Sequence, residues 1–123
     1  MKILMSIHNE HIQNIKNGNK RFEFRKVEAR KFSENEIYIY ATAPISKVVG
    51  VARISKVHID TPKNIWKFTK DYSGVDKKFY YDYYKNKNKA IAYEIYDYTE
   101  FNEPKELIEF GISAAPQSFV YIK

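Results

Sequence analysis

The chain has 123 residues, which fits a single domain (residues 1–123) that can bury about two-thirds of its unfolded surface. It has no cysteine, which excludes disulfide scaffolds, thiolate zinc sites and cysteine nucleophiles, and no apolar run approaches the ~18 residues of a transmembrane helix. The formal net charge of +6 favours an anionic partner, nucleic acid being the commonest. Because the N-terminus also lacks a signal peptide, we predict a cytoplasmic protein with no membrane association.

The first part of the chain predicts a strand, a short helix and a second strand. Residues 2–7 place alternate apolar side chains on one face of a strand. Asn9 is the expected N-cap of a helix that ends at residues 17–19, where Gly18 can adopt the left-handed conformation. Residues 20–26 alternate between aromatic and charged side chains, which predicts a half-buried strand.

The rest of the chain predicts four further strands and two or three short helices. Residues 36–42 and 47–59 are predicted to form strands. The interior Gly50 suggests a bulge or a sharp bend in the strand over residues 47–59. Thr61 and Pro62 begin a helix as its N-cap and first residue. The remaining elements are an aromatic-rich helix over residues 76–87, a strand over 89–98, a short helix or turn from Pro104, and a strand over 118–122.

This order of elements defines the expected fold class. About six strands mixed with three or four short peripheral helices indicate an α+β protein. The number of strands and the bend-forming glycine suggest that the sheet curls into a small β-barrel. The sequence contains no internal repeat, no low-complexity segment and no linker.

Three charged residues of the second predicted strand form the first candidate site. Glu23 and Arg25 lie on the same strand face, and Lys20 stands at the strand's entry. Lysine and arginine can hold an anion or a polar base edge, and Glu23 can accept from an exocyclic amine or act as a general base. The alternative is a solvated strand face with ordinary ion pairs.

A basic stretch and a basic aromatic helix extend the candidate surface. The basic stretch over residues 16–31 can contact phosphates. The helix over Phe79 to Tyr84, which is flanked by lysines, can stack on bases. The alternatives are a solvated loop, tyrosines packed on the sheet, and an AT-rich codon bias that raises lysine, asparagine, isoleucine and tyrosine. The cations of the stretch are Lys16, Lys20, Arg21, Arg25, Lys26, Arg30 and Lys31, set against Glu23 and Glu28.

The sequence offers no pattern for a metal or a cofactor. His8 and His11 lie three residues apart but have no close third ligand, and His58 stands alone. There is no glycine-rich phosphate loop, no nucleophile elbow and no nucleophile–histidine pattern. We therefore predict no metal and no cofactor, and neither P-loop nucleotide hydrolysis nor acyl-serine chemistry is expected.

One segment carries a family signature. Residues 18–25 fit the pattern GxKxxExR, and the chain resembles the ASCH (activating signal cointegrator homology) domains of the PUA-like superfamily. The resemblance implies a PUA-like small β-barrel with a cleft into which Lys20, Glu23 and Arg25 project. Further segments similar to small prokaryotic members are Tyr38 to Pro44, Val48 to Gly50, Ser73 to Val75, Ala90 to Tyr93 and Pro116 to Phe119.

The resemblance also implies a role connected with nucleic acid, most often RNA binding. Some small relatives are amidohydrolases that remove the acyl group of N4-acetylcytidine. In those relatives a lysine matching Lys20 is retained, a threonine stands where this chain has Glu23, and a catalytic glutamate comes from a later helical region. Asp71 and Asp76 are the nearest candidates for that carboxylate here.

Three functions follow from these residues. The first is a regulatory or other RNA-binding module in which a base stacks on Tyr38 or Tyr40. The second is a metal-independent amidohydrolase acting on a modified nucleoside, with Glu23 as the base and Lys20 stabilising an oxyanion. The third is a partner-binding subunit with a vestigial cleft. The predicted ligand-binding residues are Lys20, Glu23, Arg25, Arg21, Lys26, Tyr38 and Tyr40.

Overall fold

The computed structural model describes residues 2–31 and 35–122. Six strands and three α-helices confirm the predicted α+β class, and two short 3-10 helices join them. The strands are β1 (Lys2–Ile7), β2 (Phe22–Arg25), β3 (Glu36–Ala41), β4 (Lys47–Asp60), β5 (Ala90–Lys105) and β6 (Phe119–Ile122). The helices are α1 (Asn9–Lys16), α2 (Pro62–Thr69) and α3 (Lys77–Tyr83), with 3-10 helices at Lys70–Tyr72 and Leu107–Phe110.

All six strands belong to one curled sheet in the order β2-β5-β4-β3-β1-β6. The pair β1–β3 is parallel and every other pair is antiparallel. The sheet curls until its first strand approaches its far side, where the Arg25 guanidinium of β2 donates to the Ser6 carbonyl oxygen of β1 at 2.9 Å. The same guanidinium donates to the Ser118 hydroxyl, next to β6, at 3.3 Å. Side-chain bonds thus bridge the gap of a half-barrel.

The main core fills the inside of the curled sheet. It is built from the alternate residues of the strands that the sequence placed on one face, for example Ile3, Met5, Ile37 and Ile39, each at most 1% exposed. A second cluster packs helices α2 and α3 against β2 and β5, with Phe24 edge-on to the ring of Tyr80. Helices α2 and α3 cover one side of the sheet, and the main core fills its inside. This arrangement leaves the gap beside β2 as the place for a ligand-binding site.

Two local predictions are confirmed by the backbone. Thr61 is the N-cap of α2 and accepts a hydrogen bond from the Asn64 amide at 3.2 Å. The register of β4 shifts between Val48 and Gly50 against β5, which is the bulge predicted near Gly50. A Cβ on Gly50 would lie 2.6 Å from the Thr99 carbonyl oxygen, so the close approach of β5 requires glycine there.

Other boundaries differ from the predictions. The N-cap of α1 is His8 rather than Asn9, and α3 ends at Tyr83, earlier than the predicted residue 87. Strand β5 continues to Lys105 because its irregular pairing with β4 absorbs extra residues, and Pro104 therefore lies in a strand end and not at a helix start. The polar, basic composition of residues 27–35 predicts a connection rather than a strand, and residues 32–34 of it lie outside the described residues.

No helix among the described residues is both long enough and apolar enough to cross a lipid bilayer.

Candidate functional site

The charged face of β2 is buried. The sequence predicted a half-buried strand, but all four residues of β2 are buried, Glu23 at 7% and Arg25 at 8% exposure. Lys20, just before the strand, is 3% exposed. The prediction was wrong about β2 because both of its faces are covered, the aromatic face by α3 and the charged face by segments from distant parts of the chain. The solvated-face alternative therefore does not hold.

Glu23 sits between the two cations. Its carboxylate accepts from the Arg25 guanidinium at 2.6 Å through Oε2, and its Oε1 lies 3.7 Å from the Lys20 ammonium. The ammonium donates to the Ser73 carbonyl oxygen at 2.7 Å. It also lies 4.9 Å from the centroid of the Phe24 ring, a cation–π distance. A buried carboxylate and two buried cations thus stabilise one another, which isolated buried charges could not do.

The charges of this cluster shift the titration of its members. Burial would raise the pKa of Glu23, but the neighbouring charges of Arg25 and Lys20 outweigh it and hold that pKa below its ordinary value. Burial lowers the pKa of Lys20, while the attraction of Glu23 limits the fall. Burial and the charge of Lys20 lower the pKa of His11, which stands nearby. Glu23 is therefore ionised at neutral pH, and His11 is largely uncharged.

These residues form the floor of a cavity of about 750 Å³. That volume falls within the usual range for small-molecule and cofactor sites. The cavity lies in the gap of the half-barrel, between α1, α3 and the segment from Ala115 to Ser118. At its wall the His8 imidazole and the Thr42 hydroxyl are hydrogen-bonded at 2.9 Å. Among the described residues that line the cavity, three are cationic side chains and one is a carboxylate, so the site suits an anionic or electron-rich ligand.

The structure brings most of the predicted site residues together and separates two of them. Five line the cavity, namely Lys20, Glu23, Arg25, Lys26 and Tyr40. Arg21 does not line it and instead stacks on the Tyr72 ring, 3.9 Å from the centroid. Tyr38 does not line it either, and its ring lies 5.2 Å from that of Phe110, in the apolar cluster that also contains Tyr40. Arg21 and Tyr38 are therefore outside the cavity that would hold the ligand.

The two carboxylates considered for an amidohydrolase lie outside the main cavity. Asp71 and Asp76 line an adjoining hollow of about 520 Å³, which shares the side chains of His11, Val75 and Phe79 with the cavity. Asp76 is also the N-cap of α3 and accepts from the Phe79 amide at 2.7 Å. Within the described part of the chain, Glu23 is thus the carboxylate that faces the main cavity.

Sequence reasoning missed several residues of the cavity. His11 was considered only with His8 as a metal ligand, and Ser118 only as the start of a strand. Phe79 was named on the aromatic helix that can stack on bases or pack on the sheet, but it was not among the predicted ligand-binding residues. The exposure of Phe79, 52%, is the signal that sets it apart, and no sequence pattern reports it. The described chain has no group of three or more histidine, cysteine, aspartate or glutamate side chains that could hold a metal ion.

The six-stranded curled half-barrel with its three α-helices is the PUA-like fold that the resemblance implied. Two solved structures that superpose on this chain have a similar fold. The crystal structure of ASCH from Zymomonas mobilis superposes with a TM-score of 0.88 and 24% identity, covering 99% of this chain and 87% of that one. The N-terminal domain of Staphylothermus marinus McrB superposes with a TM-score of 0.53 and 15% identity, covering 88% of this chain and 77% of that one.

The family follows from a family model of the ASCH domain, which matches residues 5–105. The chain belongs to the ASCH domain family, as its signature predicted. Curated relatives are longer proteins of Ureaplasma parvum. One named large ribosomal subunit protein uL22 is 33% identical over 87 residues, 71% of this chain and 28% of that protein. One named ATP synthase subunit alpha is 25% identical over 122 residues, 98% of this chain and 15% of that protein.

Proposed function

We propose that this ASCH-domain protein binds RNA, taking a single unpaired base into the cavity over Lys20 and Glu23. The observation that carries the proposal is the buried ammonium of Lys20 at the cavity floor, next to a carboxylate that stays ionised. A fixed donor beside a fixed acceptor can recognise the hydrogen-bonding edge of a base, and RNA is read chiefly at unpaired bases. The similarity to a protein named for the large ribosomal subunit adds support for an RNA ligand.

Arg25 has a different part in this proposal. Its guanidinium already donates to Glu23, Ser6 and Ser118, so its bonds hold the cluster and close the gap of the half-barrel. We therefore assign Lys20 and Glu23 to the ligand, and Arg25 to the positioning of Glu23. Lys26, exposed and at the rim of the same cavity, is placed to contact a phosphate.

The test uses the change Lys20→Met, which removes the ammonium and keeps an apolar stem of similar length. Fluorescence anisotropy of labelled single-stranded RNA, double-stranded RNA and single-stranded DNA is measured at about 50 mM and about 200 mM salt. We expect the wild type to bind single-stranded RNA tightest, and Lys20→Met to weaken that binding about tenfold or more, because a charge-assisted hydrogen bond is lost.

The matched control is Lys67→Met, which removes the same charge from the exposed side of α2, outside the cavity. It keeps the affinity within a factor of about two, since one remote surface charge is largely screened. If Lys20→Met and Lys67→Met bind alike, or if the wild type binds no nucleic acid at either salt concentration, RNA binding by the cavity is wrong.

A second candidate is the hydrolysis of a modified nucleoside such as N4-acetylcytidine. It is favoured by one observation, the 3.7 Å approach of Lys20 to Glu23 in a cavity large enough to admit a nucleoside. Glu23 takes a proton from water, the hydroxide adds to the acyl carbon, and Lys20 stabilises the oxyanion. The C–N bond then breaks, the amine nitrogen takes the proton held by Glu23, and cytidine and acetic acid leave, the acid losing its proton to water.

This candidate predicts that cytidine accumulates when the protein is incubated with N4-acetylcytidine and a chelator, as measured by chromatography. Lys20→Met is expected to lower the rate at least about 100-fold, because it removes the group that stabilises the oxyanion. Lys67→Met, the same change outside the cavity, is expected to keep the full rate. Turnover that is equal in both variants, or that is absent from the wild type, would reject the candidate.

A further inference from the structure

Phe79 is an aromatic residue of the cavity that neither the packing of the core nor the charged floor accounts for. It lies in the first turn of α3 and exposes 52% of its surface, although its neighbour Tyr80 is 1% exposed. Its ring lines both the main cavity and the adjoining hollow. A phenylalanine held at the mouth of a cavity exposes apolar surface at a cost, unless a ligand covers it.

The ring of Phe79 is supported from within the protein. The His11 ring stands behind it, with the centroids 5.8 Å apart and the planes tilted by 58°. Burial and the charge of Lys20 lower the pKa of His11, so this support is an uncharged imidazole at neutral pH. Among the described residues His11 is the aromatic ring that Phe79 contacts, and half of the phenyl surface remains open.

The two sides of Phe79 differ in charge. Three carboxylates, Glu10, Asp71 and Asp76, line the adjoining hollow against a single cation, Lys70, within the described ranges. The main cavity is lined by the exposed Lys26, which does not line the hollow and whose ammonium lies 4.5 Å from the centroid of the Tyr83 ring. A phosphodiester chain is repelled by the hollow and attracted by the Lys26 rim.

From these placements we propose that Phe79 is the stacking platform for the base held over Lys20 and Glu23, and that the sugar–phosphate chain leaves over Lys26 rather than over the hollow. The inference rests on the proposed RNA binding and adds the residue that selects a flat heterocycle over a simple anion. In this proposal Phe79 takes the place of Tyr38, which does not line the cavity, and of Tyr40, which is only 6% exposed. Base–aromatic stacks of this kind recur in proteins that bind single strands.

The test compares Phe79→Leu with Phe79→Tyr, using the single-stranded RNA that binds the wild type tightest in anisotropy titrations. Phe79→Leu is expected to weaken binding roughly 5- to 150-fold, the range that follows from the removal of one base–aromatic stack. Phe79→Tyr keeps a ring and should stay within about threefold of the wild type. Phe68→Leu is the matched control, because Phe68 is 56% exposed and lies on α2 away from both cavities.

The path of the phosphates is tested with salt. Lys26→Gln should reduce the slope of log affinity against log salt by about one, and Asp71→Asn should leave that slope unchanged. If Phe79→Leu binds like Phe68→Leu while Lys20→Met loses affinity, the stacking platform is wrong and the proposed function stands. If Lys26→Gln leaves the slope unchanged, the path is wrong. If the wild type binds no RNA, the proposed function and this inference both fall.

Discussion

Replacing Glu23 by glutamine is expected to lower the free energy of unfolding by about 3–5 kcal/mol, the usual cost of removing one partner from a buried ion pair. The amide keeps the volume but not the charge, so the buried cations Lys20 and Arg25 are left without compensation. For a chain of this size the melting temperature should fall by roughly 10–20 °C. Thermal and urea unfolding followed by circular dichroism measure both quantities.

Glu100→Gln is the matched control for this prediction. Glu100 pairs with Lys16 at 3.0 Å, but both side chains are well exposed to solvent, and such a pair contributes about 0–1 kcal/mol. A second arm is the double variant Lys20→Met/Glu23→Gln, which should be more stable than Glu23→Gln because only one uncompensated cation remains. A loss for Glu23→Gln no larger than that for Glu100→Gln would show that the cluster is solvated rather than buried.

A comparison of the wild type with Glu23→Gln at different pH values also reports the titration of Glu23. Burial alone would raise the pKa of Glu23, but the charges of Arg25 and Lys20 lower it below the ordinary value of 4.5. Because the folded state then binds the proton less readily than the unfolded state, the stabilisation is present above pH 4.5 and is lost as the pH falls through the folded-state pKa. We expect the stability difference between wild type and Glu23→Gln to shrink below pH 4.5. A difference that stays constant there would contradict the assignment.

Gly74→Ala is expected to destabilise the protein by about 2–5 kcal/mol, from two separate costs. Gly74 has a φ of +71°, which an alanine adopts only with strain. A Cβ there would also lie 2.6 Å from the Lys20 Cβ and 2.9 Å from its Cδ. The lysine can move aside only at a cost, because its ammonium is bonded to the Ser73 carbonyl and its backbone bridges to Ser73.

Gly18→Ala separates the two costs. Gly18 has a φ of +86°, but a Cβ there would meet nothing within 4 Å, so only the backbone strain of about 1–2 kcal/mol applies. Urea unfolding gives both values from the midpoint at constant slope. Because Gly74→Ala displaces Lys20, it should also weaken RNA binding, whereas Gly18→Ala should not. Equal losses of stability at the two glycines would show that Lys20 does not pack on Gly74.

The strands were predictable because their side chains alternate. Period-two patterns over residues 2–7 and 36–42 correctly identified which side chains share a face, and the Thr61–Pro62 pair marked a helix start that depends only on local hydrogen bonds. The end of β5 was not predictable in this way. Its last residues are mostly exposed and pair with β4 through register shifts, so no alternation marks them as a strand.

The signature GxKxxExR, together with similar segments along the chain, predicted the ASCH domain family, which the family model confirms. It also predicted that Lys20, Glu23 and Arg25 are neighbours. The pattern of a strand states which side chains point the same way, but it carries no information about what covers them. The charged face of β2 is covered by segments that hydrogen-bond to Lys20 and Arg25 through Ser6, Ser73 and Ser118. These serines lie 19, 53 and 93 positions along the chain from the residues they bond. These contacts join segments that are remote along the chain, and they make the charged strand face the floor of a cavity. The same fold leaves Arg21 and Tyr38 outside the cavity and brings His11 and Phe79 to its mouth. Only the tertiary structure decides these placements, because no local pattern reports which distant segments meet.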